Sequence, residues 1–313
     1  MSGPIDEPGT QSSNLGVSTI EVREGRSTTI GQVGIARVLP TKSRRTIGPW
    51  CFVDLMLADD VERPPPLEIG PHPHIGLATV TWLFSGSALH TDSLGTQQLI
   101  RPGQLNLMTA GRGIAHAEEG VDMESTWEAS GTMGVQMWLA QPDATRNGSS
   151  GFQHLSELPE ARVGRATARV LIGTLDDAES PADFGHPTVG LDVTLDGPTA
   201  LPVTPHFEHG VVPIDKTIRV DEHVVAPGSL AIIPSGHEQL SLDALSYRAR
   251  VMLLGGKPLG EPVKMWWNFV ARTTEELTEA WRDWNFGNED RFGPVPSGLR
   301  RMEAPTPLWI REG

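Results

Sequence analysis

Gly70-Pro71-His72-Pro73-His74-Ile75-Gly76 and, about forty residues on, Gly111-Arg112-Gly113-Ile114-Ala115-His116-Ala117-Glu118 are the stretches that decide how the chain is read. In an extended strand, side chains two residues apart share a face, so His72 projects with His74 and His116 with Glu118. Gly111 and Gly113 suit the positive φ or close backbone approach that returns a chain to its partner strand. If the two strands are neighbours, three imidazoles and a carboxylate converge on one point, a metal site in outline. The competing reading is four separate polar side chains at strand ends. His-Pro-His alone does not separate the two; the second paired set at this spacing, with a hairpin between, favours the metal.

Three neutral imidazoles and one carboxylate would leave a divalent ion with a net charge of about +1. In octahedral geometry two positions stay open for water, dioxygen or a chelating substrate. Ligation by nitrogen and oxygen without thiolate suits Fe(II), Mn(II), Ni(II) or Zn(II), and open positions favour Fe(II) where the chemistry involves oxygen. Competing active-site designs find no support: there is no Gly-x-Ser-x-Gly nucleophile elbow. Nor does a Gly-x-Gly-x-x-Gly fingerprint follow a strand.

The composition fits a β-rich protein with real cores. Among 313 residues, 38% are hydrophobic, and 34 glycines and 26 prolines argue for many turns between short strands. Cys51 is the only cysteine, which excludes an intramolecular disulfide framework and any thiolate cluster; flanked by Trp50, Phe52 and Val53, it reads as a buried thiol. A net charge of −14 opposes binding to phosphate backbones, so no direct nucleic-acid partner is expected. Lys42-Ser43-Arg44-Arg45 reads as a solvated loop between strands. No apolar run approaches a membrane span, and Met1 to Glu7 lacks the basic and apolar regions of a secretory signal; a cytoplasmic protein, a monomer, is the expectation.

Residues 1–17 are polar, Ser- and Gly-rich and without period, and are expected to be a disordered tail. Strand patterns follow at Thr19–Val22, Val33–Leu39 and Trp50–Met56, and Pro64-Pro65-Pro66 reads as a stiff loop leading into the histidines. Further strands are expected at Ala78–Phe84, Ser87–His90, Gln97–Ile100, Gln104–Met108 and Met133–Leu139, with turns at Ser85-Gly86 and Asp92–Gly95. The run from Gln141 to Gly151 reads as a linker, and strands resume at Ala168–Ile172 and Leu191–Leu195.

An internal repeat then appears. Pro102-Gly103-Gln104-Leu105 precedes Gly111, and Pro227-Gly228-Ser229-Leu230 precedes Gly236, with turn, strand and glycine equally spaced. The chain therefore reads as two copies of one β module, and the second lacks the ligand pairs. His206 and His209 fall three apart on opposite faces of a strand, while His237 and Glu238 are adjacent. Near the C-terminus, Thr273-Thr274-Glu275-Glu276 forms a capping box, and Leu277, Ala280, Trp281 and Trp284 share one face of a helix that covers a module. Beyond Gly287 the sequence is Pro-rich, with Trp309 as an anchor.

Several of these stretches resemble one family. Arg45–Asp54, His72–Trp82, Met108-Thr109-Ala110-Gly111-Arg112-Gly113 running on to Glu118, Gly255–Pro262 and Asn268-Phe269-Val270 are similar to the pirin family of the cupin superfamily, over nearly all the chain beyond the tail. The resemblance implies an all-β bicupin of two cupin-type β-barrels with a C-terminal helix. The expected organisation is a metal-binding cupin module at 18–140, a linker at 141–155, a metal-free cupin module at 156–256, and a helical segment at 257–313. It implies one metal ion, usually iron, on His72, His74, His116 and Glu118, the same four that the spacing selects.

The activity implied is that of a quercetin 2,3-dioxygenase, which opens a flavonol with dioxygen; Glu118 would accept the hydroxyl proton of a small aromatic substrate. The alternative is a non-enzymatic, iron-dependent interaction or regulatory protein that acts on a protein partner. One departure stands out. Where pirins commonly read His-Pro-His-Arg-Gly-Phe-Glu, Ile75 replaces the arginine and Ala78 the acidic residue, and both changes are expected to make the surroundings of the site more apolar.

Overall fold

The computed structural model describes residues 19–30, 33–56, 67–121, 132–287 and 289–311. The expected tail at 1–17 and Pro64-Pro65-Pro66 lie outside them. The described residues are mostly strand, built as two modules, each with a seven-stranded and a four-stranded antiparallel sheet.

In the first module the large sheet runs Gly151–Leu155, Leu105–Thr109, Leu77–Ser85, Met133–Ala140, Trp50–Met56, Val33–Leu39, Arg26–Ile30. In the second it runs Glu21–Glu24, Ser229–Ile233, Glu208–Pro213, Ala249–Gly256, Thr188–Leu195, Ala166–Ile172, Glu160–Val163. These two orders match strand for strand, and the repeat falls where they do, with Leu105–Thr109 and Ser229–Ile233 in equivalent positions. Gly103 and Gly228 hold φ of 84° and 73° in the two turns, a conformation that costs glycine little.

Sequence order and sheet membership part company at each module's leading strand. Glu21–Glu24 pairs with Ser229–Ile233 of the second module, and Gly151–Leu155, inside the expected linker, pairs with Leu105–Thr109 of the first. Each strand thus caps the other module's large sheet. Local pattern cannot register this, because edge pairing depends on which ladder groups are left free in the fold.

The two large sheets pack face to face through one apolar layer. Val53, Leu55, Val80, Trp82, Val135 and Met137 of the first module meet Leu171, Val212, Ile232, Met252 and Leu254 of the second. Trp50, fully buried, donates from Nε1 to the Val189 and Gly255 carbonyls at 3.2 and 3.0 Å. Arg44, read from the sequence as part of a solvated loop, pairs with Glu208 at 2.9 Å across the same junction.

The opposite faces distinguish the modules. One cross-strand row in the first reads His154, Asn106, Thr81, Gln136, Asp54, Arg37. The matching row in the second reads Val22, Ala231, Val211, Leu253, Leu191, Val170. A shared backbone therefore encloses a polar interior once and an aliphatic one once. His209 is the exception in the second interior: it is 1% exposed, packs against Gly255, and has neither ring nitrogen partnered among the described residues.

After the second module the chain returns to the first. Thr273 caps the helix Thr274–Phe286 with the expected capping box, and Leu277, Ala280, Trp281 and Trp284 are buried. They pack with Trp266, Trp267, Phe269 and Phe292 around Ile75 and Ala115. Val270 donates its N–H to the Ile75 carbonyl, Met302 to that of Pro71, and Trp309 Nε1 donates to Thr278 Oγ1. The C-terminal segment so braces the strand that carries His72 and His74.

Candidate metal centre

The small sheet of the first module holds the site. Its strands run Glu68–His74, Ile114–Gly120, Ala88–Asp92, Gln97–Ile100. His116 lies opposite His72, and Ile114 opposite His74, so alternation places all three imidazoles on one face. The return is made by the turn before Ile114: Gly111 sits at φ 53°, and a Cβ there would collide with the Gly148 carbonyl oxygen.

One ring nitrogen from each of His72, His74 and His116 lies within 4.8 Å of the others, and all three residues are buried. Glu118 is on the same strand and buried, yet its carboxylate does not join that group. Its Oε1 instead lies 3.3 Å from Thr81 Oγ1. Thr81 Oγ1 is also 3.0 Å from Gln136 Oε1, which joins Glu118 to the polar row of the large sheet.

The hydrogen bonds decide which nitrogens can bind a metal. His72 Nδ1 lies 2.9 Å from the Gly70 carbonyl and His74 Nδ1 3.0 Å from that of Asn268. A carbonyl only accepts, so both Nδ1 atoms carry the proton and both Nε2 atoms are bare. His74 Nε2 then faces His116 Nε2 at 3.1 Å. Two nitrogen ligands ~2.1 Å from one ion and at right angles to each other stand ~3.0 Å apart, so these residues fit a divalent cation.

Electrostatics agree. Burial pushes His72 down to about 4, and burial first, then the other imidazoles, hold His74 and His116 well below the ordinary histidine value. All three are neutral near pH 7 without a metal, as ligation requires. Burial raises the Glu118 carboxyl above the usual carboxylate range.

Three features escaped the sequence reading. Asn268 was visible only as part of a motif, and its carbonyl reaches His74 from the far end of the chain; the residue before it, Trp267, holds φ 52°. His90 and Asp92 read as strand end and turn, yet both are buried beside His116. His90 Nδ1 lies 3.3 Å from His116 Nδ1, and its Nε2 lies 3.1 Å from Asp92 Oδ2. Burial would raise the Asp92 carboxyl, but the hydrogen bonds from His90 and the Thr96 N–H outweigh it and hold it below the usual range. The His90-x-Asp92 spacing, with its period of two, was the available signal.

Ile75 and Ala78 need correcting. Neither lines the site: Ile75 points away from His74 into the Trp266 and Phe269 cluster, and Ala78 lies in the layer between modules. The aromatic wall next to the imidazoles is instead Trp138, edge-on to His74 with ring centroids 5.2 Å apart, with Phe52 stacked on it at 4.0 Å. Two clefts of about 510 and 580 Å³ flank the helix Thr274–Phe286, and none of the three imidazoles lines either.

The pirin family model matches residues 32–139 and the model for the pirin C-terminal cupin domain matches residues 189–293. The chain belongs to the pirin family. The two modules are its paired cupin domains, and the expected all-β bicupin with a C-terminal helix is the fold observed. A Pseudomonas aeruginosa protein named "Putative quercetin 2,3-dioxygenase PA1205" is 40% identical over 284 residues, 90% of this chain and 88% of the relative. A pirin-like protein of Caulobacter vibrioides is 34% identical, with 88% and 98% covered. The crystal structure of a quercetin 2,3-dioxygenase from Acinetobacter baumannii matches with a TM-score of 0.84 at 39% identity, covering 92% of this chain and 95% of that one.

Proposed function

We propose that this pirin is a metal-dependent dioxygenase of the quercetin 2,3-dioxygenase type, acting on a small aromatic substrate with an acidic hydroxyl. The observation that carries the reading is the convergence of one ring nitrogen from each of His72, His74 and His116 within 4.8 Å, with His74 Nε2 and His116 Nε2 facing each other at 3.1 Å. The residues that would hold the ion are His72, His74 and His116, with Glu118 as the fourth. Fe(II) is the first candidate, with Mn(II), Ni(II) and Zn(II) as alternatives. Two relatives carrying the quercetin 2,3-dioxygenase name at 39–40% identity support the reaction class.

When bound, the ion supplies Lewis acidity towards a substrate hydroxyl and, as Fe(II), redox chemistry with dioxygen. The chain's own part is proton transfer and shape. Glu118, made a stronger base by burial, takes the hydroxyl proton on a carboxylate oxygen. Thr81, itself against Gln136, then donates to that carboxyl or accepts from it, according to where the proton lies. Trp138, backed by Phe52, offers an aromatic surface beside His74, and the aliphatic interior of the second module leaves the chemistry to the first.

The test is elemental analysis of protein purified without added metal, followed by oxygen uptake with quercetin. The expected result is about one metal per chain and turnover that His74→Ala abolishes. Iron-loaded protein that consumes no oxygen across a flavonoid panel would refute the activity.

A further inference from the structure

His116 differs from the other two imidazoles in what holds its far side. His72 and His74 each donate from Nδ1 to a neutral backbone carbonyl, whereas His116 Nδ1 meets another imidazole, His90, which meets a carboxylate, Asp92. The neighbouring strand builds this contact, since His116 lies opposite Asp92, and Glu118 opposite His90. All members are buried: Asp92 is 0% and His90 4% exposed.

Donor and acceptor roles along the chain follow from its last member. Asp92 Oδ1 accepts the Leu94 and Thr96 N–H groups, both at 2.9 Å, so the carboxylate is anchored by the turn and offers Oδ2 to His90 as an acceptor. His90 must then carry its proton on Nε2, leaving Nδ1 bare. A bare His90 Nδ1 at 3.3 Å requires the proton of His116 on Nδ1. His116 Nε2 is thereby bare, and it is the atom that faces His74. Phe152, from the strand that crosses over in the expected linker, stacks on His90 with ring centroids 4.5 Å apart and holds the imidazole in this plane.

We infer that Asp92 and His90 form an outer relay that locks His116 in its metal-ligating tautomer. The inference rests on the metal reading of His72, His74 and His116. Both are positioning residues: they act on the ion only through His116, by fixing its proton on Nδ1 and polarising the ring towards Nε2. Every ligand then presents Nε2, two through backbone carbonyls and one through a carboxylate, and the carboxylate-backed one should hold the ion most firmly.

Asp92→Asn is the decisive change because it keeps the turn and reverses the relay. Asn Oδ1 still accepts from Leu94 and Thr96, but its amide N–H now faces His90 Nε2 and turns that atom into an acceptor. His90 then protonates on Nδ1, and His116 is driven to the Nε2–H tautomer, which cannot ligate through that nitrogen. The full-length protein is titrated with Co(II) in competition with a chelator, and histidine tautomers in metal-free protein are read from long-range ¹H–¹⁵N correlations.

Asp92→Asn should weaken Co(II) binding by about 10–100-fold and move the His116 proton from Nδ1 to Nε2, as the loss of such an outer partner generally does to affinity. His90→Leu should weaken it similarly, and His90→Gln, whose amide keeps one acceptor and one donor, should stay within a few-fold of the parent. A merely structural role would not move the tautomer. Parent-like affinity and tautomer in Asp92→Asn would overturn the relay while leaving the metal site standing. A parent protein that binds no Co(II) would overturn the metal reading, and the relay's function with it.

Discussion

Replacing His209 with leucine should make the protein markedly less sensitive to acid. His209 lies in the aliphatic interior of the second module, and burial first, then the nearby His237, push it down to about 4. The unfolded imidazole titrates at its ordinary value of 6.5. A base whose folded value is depressed contributes stability that is fully present above 6.5 and is lost as the pH falls towards 4, because the unfolded chain takes up the proton first. Linkage makes that loss about 0.1 kcal/mol at pH 7.5 and about 2 kcal/mol at pH 5.

Urea unfolding followed by tryptophan fluorescence, with chelator present, measures the stability difference between the two pH values for parent and variant. His72, His74 and His116 titrate in both proteins and cancel in the comparison. The variant should lose about 2 kcal/mol less than the parent between pH 7.5 and 5. At pH 7.5 it should be neutral or more stable, because leucine removes two ring nitrogens that have no partner among the described residues, and a buried unsatisfied polar group costs ~1–3 kcal/mol. An identical pH dependence in both proteins would show that His209 is hydrated or charged in the fold, and the argument would be wrong.

Other outcomes follow from the first module. Thr81→Val, which copies Val211 at the matching position, should lower stability by ~1–3 kcal/mol by removing the hydroxyl from the buried Glu118 carboxylate; losing a hydrogen bond that lowers Glu118 should move the acidic limb of the kcat/KM profile to higher pH. Arg37 and Asp54 pair at 2.7 and 2.6 Å in full burial, so Arg37→Leu should cost ~3–5 kcal/mol by stranding Asp54, and Arg37→Leu with Asp54→Leu should recover most of it. Gly76 has φ 64° and a Cβ there would meet the Val270 carbonyl; Gly76→Ala should lower both thermal stability and metal content. Saturating metal at about 100 times Kd should add ~2.7 kcal/mol to stability, seen as a raised Tm that chelation reverses and His74→Ala lacks.

Local pattern made much of this legible. The strands Val33–Leu39, Trp50–Met56 and Gln97–Ile100 have the bounds their alternation indicates, and the helix starts at the Thr273 cap with the expected buried stripe. These features depend on side-chain period and on bonds within a few residues, which a sequence displays directly. The histidine pairs were equally plain, because two residues on one face of one strand need no knowledge of the rest of the fold.

What the tertiary structure alone decided lies between strands. Register brought His90 and Asp92 behind His116, and side-chain packing set the Glu118 carboxylate against Thr81 rather than among the imidazoles. It also sent Glu21–Glu24 and Gly151–Leu155 to the opposite modules, and it aimed Ile75 and Ala78 away from the site that sequence proximity had assigned them. In each case the deciding contact joins residues distant along the chain. Its energy comes from ladder pairing and burial across sheets, and the pattern of a single strand carries no record of its neighbour. The sequence thus determined that three histidines share one face and that one module of two bears them; the packing of the sheets determined which nitrogens are bare, and so where a cation fits.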